Sequence, residues 1–132
     1  MKRTVSLLTL AAALAGCSTA IPPAPRSEQA ASKLQQTLAG RVAGPAVNCL
    51  SQTPSSSMVT IDDNTVLFRR GSTLYRNDLP GGCYGLGGGD YTLVTRSPSG
   101  GLCSGDIVTV ADLRSGTTLG SCTLGDFVPY RR

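Results

Sequence analysis

The chain has 132 residues, including five cysteines but no histidine and no tryptophan. This length limits the globular part to a single small domain. The formal net charge of +4 falls to +2 once Lys2 and Arg3 are set aside, and so weak a balance does not indicate a nucleic acid partner. The lack of histidine excludes catalytic centres that depend on histidine as the general base.

The N-terminus has the order of a secretory signal peptide. Lys2 and Arg3 precede an apolar run at positions 5–13, which is followed by the small residues Ala15 and Gly16. The run is too short to be a permanent membrane-spanning helix. Residues 1–16 are therefore predicted to be a signal peptide.

Residues 14–17, "LAGC", resemble the bacterial lipobox, in which the cysteine takes a diacylglyceryl group and the chain is cleaved just before it. The resemblance implies that Cys17 is the lipid attachment residue and that its new α-amine is acylated, for example with palmitate. Two or more acyl chains hold a protein stably on a membrane. The alternative is an ordinary signal peptide cut beside a chance cysteine.

The residue after the cysteine bears on which membrane holds the chain. Ser18 stands where the sorting rule for retention in the inner membrane expects aspartate. The resemblance to that rule implies an outer-membrane lipoprotein facing the periplasm, with the inner membrane as the alternative.

Residues 17–26 are expected to form the lipid anchor and a tether. Three prolines among them favour an extended polyproline II conformation.

Residues 27–40 predict one short helix, because Ser27 suits the N-cap and Gly40 suits the C′ position. Its apolar face is narrow and consists of Ala31, Leu34 and Leu38. Such a helix either docks lightly on the domain or acts as a spacer from the membrane.

Residues 41–132 predict a mainly β domain. Two short strands flank Gly71 and Ser72, a pair typical of a tight hairpin, and Asp62, Asp63 and Asn64 indicate the turn before them. Residues 116–130 supply one or two final edge strands. The pattern predicts a small antiparallel meander, cross-linked by disulfides and closing into a barrel or a sandwich.

With Cys17 used for lipid, four cysteines remain: Cys49, Cys83, Cys103 and Cys122. In an oxidising compartment they predict two disulfides. A zinc site is disfavoured, since the gaps hold 33, 19 and 18 residues whereas zinc ligands come in close pairs. Three pairings are possible. We favour Cys49–Cys103 with Cys83–Cys122, because each closes a long loop worth about 4 kcal/mol on the chain-entropy model; Cys49–Cys122 with Cys83–Cys103 is the alternative.

The glycine-rich segment at 81–90, "GGCYGLGGGD", does not form a nucleotide fingerprint, since Asp90 stands where glycine is needed. It predicts a flexible loop bent around a disulfide. The aspartates lie beside turn residues, as capping aspartates do, and the alternating oxygen ligands of a calcium loop are missing. The sequence therefore predicts no catalytic residue, no metal site and no cofactor.

Four sequence pieces, at 74–77, 83–86, 102–106 and 124–127, resemble a family of small uncharacterised exported proteins and lipoproteins of Gram-negative bacteria. The resemblance covers about residues 41–130. It implies that the four remaining cysteines belong to the fold, and it brings no activity, ligand or cofactor with it.

These features predict an envelope lipoprotein that is not an enzyme, held on the membrane by its lipid and binding or supporting another envelope protein. One alternative is an exported inhibitor or small-ligand binder that uses residues 81–90. The least favoured is a hydrolase working through aspartates alone.

Overall fold

The computed structural model describes residues 25–51, 57–96 and 100–132. The predicted signal peptide, Cys17 and most of the tether lie outside the described residues. The helices are α1 (Glu28–Leu38) and a short 3-10 helix (Leu86–Gly88). The strands are β1 (Val42–Ala43), β2 (Cys49–Ser51), β3 (Ser57–Asp62), β4 (Thr65–Arg70), β5 (Thr73–Asp78), β6 (Tyr91–Thr95), β7 (Gly101–Cys103), β8 (Ile107–Asp112), β9 (Thr118–Thr123) and β10 (Phe127–Arg131).

The strands pair in three antiparallel sheets, which confirms the prediction of a mainly β fold. The largest sheet has the order β1-β10-β5-β4-β3, the second has the order β6-β8-β9, and β2 pairs with β7. Strand β9 is an edge strand as expected, whereas β10 is not, because β1 and β5 pair on its two sides.

The barrel alternative is wrong, since within the described residues the sheets stay separate and do not close. The meander is also limited to β3, β4 and β5. The reason lies in residues 79–90, which lead the chain away from β5, so that β6 pairs with β8 and starts a new sheet.

The main core combines buried side chains of the five-stranded and three-stranded sheets. Val66, Phe68 and Phe127 come from the first sheet, and Val108 and Val110 come from the second. The rings of Phe68 and Phe127 meet edge to face, with centroids 5.7 Å apart. Burial of these side chains is the main stabilising contribution that so small a domain has available.

Helix α1 packs on the opposite face of the five-stranded sheet. Ala30 and Leu34 are buried against Ile61 and Leu67. The hydroxyl of the N-cap residue Ser27 accepts a hydrogen bond from the Ala30 amide at 3.2 Å. The helix is therefore docked on the domain rather than standing free as a spacer. None of the helices in the described ranges is long and apolar enough to cross a membrane.

Two disulfides join the four cysteines of the domain. Cys49 pairs with Cys103 between β2 and β7, and Cys83 pairs with Cys122 between the glycine-rich loop and β9. These are the pairs that loop length favoured. Since Cys83 and Cys122 are both buried, the second disulfide is part of the main core.

Candidate functional site

The glycine-rich loop, residues 81–90, is held against the β3–β4 turn by Asp63. Its Oδ1 accepts a hydrogen bond from the Gly87 amide at 2.6 Å, and its Oδ2 accepts one from the Gly85 amide at 3.3 Å. Its carbonyl oxygen accepts a third from the Cys83 amide at 2.6 Å. The carboxylate thus serves to order the loop.

This contact depends on glycine where the two segments approach most closely. A Cβ added at Gly87 would lie 3.1 Å from Asp63 Oδ1, and one at Gly82 would lie 2.6 Å from Asn64 Oδ1. Gly82 also has a φ of +73°, which side chains rarely adopt. The glycines of the segment therefore fit close backbone packing, not the cradling of a phosphate.

A cleft of about 390 Å³ lies between the start of α1 and the β3–β4 turn. Arg26 Nε lies 2.6 Å from Asp62 Oδ2, and the same guanidinium donates to Thr65 Oγ1. Lys33 Nζ donates to the Thr60 carbonyl at 2.7 Å. The charged groups of this cleft bind other parts of the protein, and they fasten the helix to the sheet.

Thr65, which accepts a hydrogen bond from Arg26, is also hydrogen-bonded to Asp78. Its Oδ1 accepts a hydrogen bond from Thr65 Oγ1 at 2.7 Å and another from Arg76 Nε at 3.0 Å. Burial lowers the pKa of Arg76, but its hydrogen bonds and charge interactions with Asp78 and Tyr130 outweigh that effect, so the pKa is raised. Arg76 is therefore a fixed cation that pairs with Asp78.

Three further aspartates act in turns, as the sequence predicts. Asp106 accepts a hydrogen bond from the Cys103 amide at 2.7 Å, and Asp112 accepts one from the Arg114 amide at 2.7 Å. Asp90 pairs with the Arg114 side chain at 3.2 Å. Among the described residues, no group of three or more metal-ligating side chains is placed to hold an ion.

On the outer face of the three-stranded sheet, the residues within β6, β8 and β9 carry no charge. Because Val108, Val110 and Cys122 point into the core, the residues that alternate with them point outwards. Val94 and Ile107 on this face are 40% and 73% exposed. Cross-strand pairing gives the full set as Thr92, Val94, Ile107, Thr109, Ala111, Thr118, Ser121 and Thr123.

One buried contact of the domain was not predicted from the sequence. Asn77 is fully buried, its side-chain Nδ2 donates to the Gly125 carbonyl at 2.7 Å, and its Oδ1 accepts from the Gly125 amide at 2.9 Å. The only local signal was an asparagine near the end of a strand, which also suits a turn.

Comparison with known proteins finds a family match for the N-terminal segment of the chain. Residues 1–18 match the family described as the prokaryotic membrane lipoprotein lipid attachment site. No curated protein and no solved structure matches the chain. The match includes Cys17 and ends before the β domain, so the wider resemblance over residues 41–130 stays a prediction. The N-terminal segment therefore has the lipid attachment site of a membrane-anchored bacterial lipoprotein.

Proposed function

We propose that this chain is an outer-membrane lipoprotein of a Gram-negative envelope, attached through Cys17 and facing the periplasm. Its β domain is a non-enzymatic module that binds another envelope protein. The attachment site at residues 1–18 supports the anchor, and Ser18 supports sorting to the outer membrane. The surface of the domain supports the binding role.

The observation that carries the binding role is the uncharged outer face of the three-stranded sheet. Its exposed apolar side chains, chiefly Ile107 and Val94, lose contact with water when a partner covers them, which favours association. The threonine and serine hydroxyls between them can donate and accept hydrogen bonds at modest desolvation cost. No charge on the three strands has to be buried, so a protein surface of similar polarity fits this face.

The carboxylates support a role other than catalysis. Asp63 holds the glycine-rich loop, Asp62 and Asp78 pair with arginines, and Asp106 and Asp112 cap turns. A hydrolase that works through aspartates alone needs two carboxylates that converge on a substrate. These five are each engaged in stabilising the fold.

Site-specific photocrosslinking in living cells tests the binding role. A photoreactive side chain is placed at Ile107 or at Val94, with Val42 as the control position, since Val42 is 76% exposed and lies on β1, outside the face. We expect the same protein adduct from the first two positions and none from the third.

A charge placed at the centre of the face should block binding, and the same charge placed on α1 is its control. Thr109→Arg should abolish the adducts, whereas Gln35→Arg on exposed α1 should leave them unchanged. If Ile107 and Val94 give no protein adduct under several conditions, the binding role is wrong. Turnover of an envelope substrate that a single Asp→Asn change abolishes would replace it with an enzyme.

A further inference from the structure

Three exposed apolar side chains gather around the glycine-rich loop. This loop-end patch consists of Tyr84, Leu113 and Leu119, whose side chains are 87%, 65% and 46% exposed. A Cβ at Gly85, next to Tyr84, would lie 3.9 Å from Leu119 Cδ1. On the other side of the 3-10 helix, the Leu113 amide donates to the Asp90 carbonyl at 2.8 Å. One short segment thus connects all three.

The chain that leads from the lipid reaches the domain at this same end. Pro25 and Arg26 line the cleft together with Asp63 and Gly87, and these last two residues are the ones that hold the loop. Only seven residues lie between Cys17 and Pro25. Covalent geometry allows their Cα atoms to be at most about 29 Å apart. The tether is therefore short enough for this end of the domain to reach the membrane surface.

The charge distribution distinguishes the two ends of the domain. Residues 79–89 and 115–125, which the Cys83–Cys122 disulfide joins, contain no charged side chain. The opposite end of the five-stranded sheet, where β4 and β10 finish, carries four arginines: Arg69, Arg70, Arg131 and Arg132. The charged side chains at the tether end flank these two segments, where Arg26 pairs with Asp62 and Arg114 pairs with Asp90. The apolar side chains can therefore enter the headgroup boundary while those charges stay at its polar surface.

The geometry points to a membrane-contacting surface: Tyr84, Leu113 and Leu119 insert into the headgroup boundary of the leaflet that holds the Cys17 lipid. Tyrosine suits this boundary because its ring is apolar and its hydroxyl is polar. The contact of Asp63 with Gly85 and Gly87 holds Tyr84 in place for that insertion. This inference rests on lipid attachment at Cys17.

Fluorescence depth measurement tests the inference directly, because the chain has no tryptophan. The mature lipidated protein is made as three single variants: Tyr84→Trp, Leu119→Trp and the control Val42→Trp. Val42 is exposed like Tyr84, but it pairs with Arg131 at the opposite end of the sheet. Each variant is reconstituted into vesicles of phosphatidylethanolamine and phosphatidylglycerol, with and without bromine on the acyl chains. Lipid attachment is measured by mass on the same samples.

We expect brominated lipid to remove most of the emission of the tryptophans at positions 84 and 119, with a blue shift on reconstitution, and to leave that at position 42 nearly unchanged. Lipidated protein in which positions 84 and 42 are quenched equally, or position 42 more strongly, overturns this inference alone. Protein that carries no lipid overturns both the inference and the anchor. If the emission of the tryptophan at position 84 shifts to the blue only after an envelope protein extract is added, the inference is wrong and the patch binds a protein partner instead.

Discussion

Asp63 Oδ1 lies 2.6 Å from the amide nitrogen of Gly87. This hydrogen bond joins the β3–β4 turn to a loop more than twenty residues away along the chain. The Oδ2 atom of the same carboxylate binds the Gly85 amide. Hydrogen bonds to an ionised acceptor are stronger than neutral ones. This single side chain therefore orders the loop that presents Tyr84.

Replacing Asp63 should loosen the loop. Asp63→Ala removes both side-chain hydrogen bonds and should lower the free energy of unfolding by about 1.5–3 kcal/mol, the range for bonds to charged groups. Hydrogen exchange at the Gly85 and Gly87 amides should accelerate more than exchange in β4. Asp126→Ala, at an exposed position between β9 and β10, is the control. Unchanged exchange at both amides would contradict the role given to Asp63.

The buried Asn77 amide should be essential for stability. Asn77→Ala leaves the Gly125 amide and carbonyl without their partner, which should cost about 2–4 kcal/mol for two buried groups. Gly125→Ala should be as harmful, because its Cβ would lie 2.2 Å from the Asp78 carbonyl oxygen. Denaturant unfolding provides the measurement, with Asn48→Ala at an exposed position as the control. A loss below about 0.5 kcal/mol would show that the contact is dispensable.

Helix α1 should detach without unfolding the sheets. Leu34→Ala removes the main apolar contact and should cost about 2–3 kcal/mol within the helix, whereas Arg26→Ala breaks a partly exposed ion pair worth about 1 kcal/mol or less. Hydrogen exchange should show faster opening of Glu28–Leu38 in both variants, with β4 and β5 protected. Gln35→Ala, on the exposed side of the helix, should change neither the stability of the helix nor its hydrogen exchange. Equal acceleration in helix and strands would mean that α1 and the sheets unfold as one unit.

The two disulfides should differ in their effect on stability. On the chain-entropy model their loops differ by only about 0.3 kcal/mol, because the dependence on length is logarithmic. Cys83 and Cys122 are also buried in the main core, whereas Cys49 is exposed. Removing both of the core cysteines should therefore cost about 2–5 kcal/mol, and more than removing Cys49 and Cys103. Thermal unfolding of the two double alanine variants compares them, and equal losses would refute a core contribution.

The parts of the fold that local patterns determine could be predicted. The β4–β5 hairpin follows from Gly71, which has a φ of +55°, and α1 follows from Ser27 and from Gly40, whose φ is +69°. Turn geometry and capping involve neighbouring residues only, so a short stretch of sequence contains the information.

The assembly of the sheets could not be predicted in the same way. Strand β10 pairs with β5 although about fifty residues separate Phe127 from Asn77, and no local pattern states which strands become neighbours. The contact of Asp63 with Gly87 is of the same kind, since an aspartate in a turn shows only that it can bind nearby amides. Pairings of high sequence separation depend on packing of the whole core.

The most direct test of this account is the mass of the N-terminal peptide of the mature protein isolated from membranes. We predict that the peptide begins at Cys17 and carries a diacylglyceryl group on its Sγ and an acyl chain on its α-amine. Cys17→Ser should lose all of this lipid and leave the membrane fraction. An unmodified peptide that begins at another residue, or a Cys17→Ser protein that still takes up fatty acid label, would contradict it.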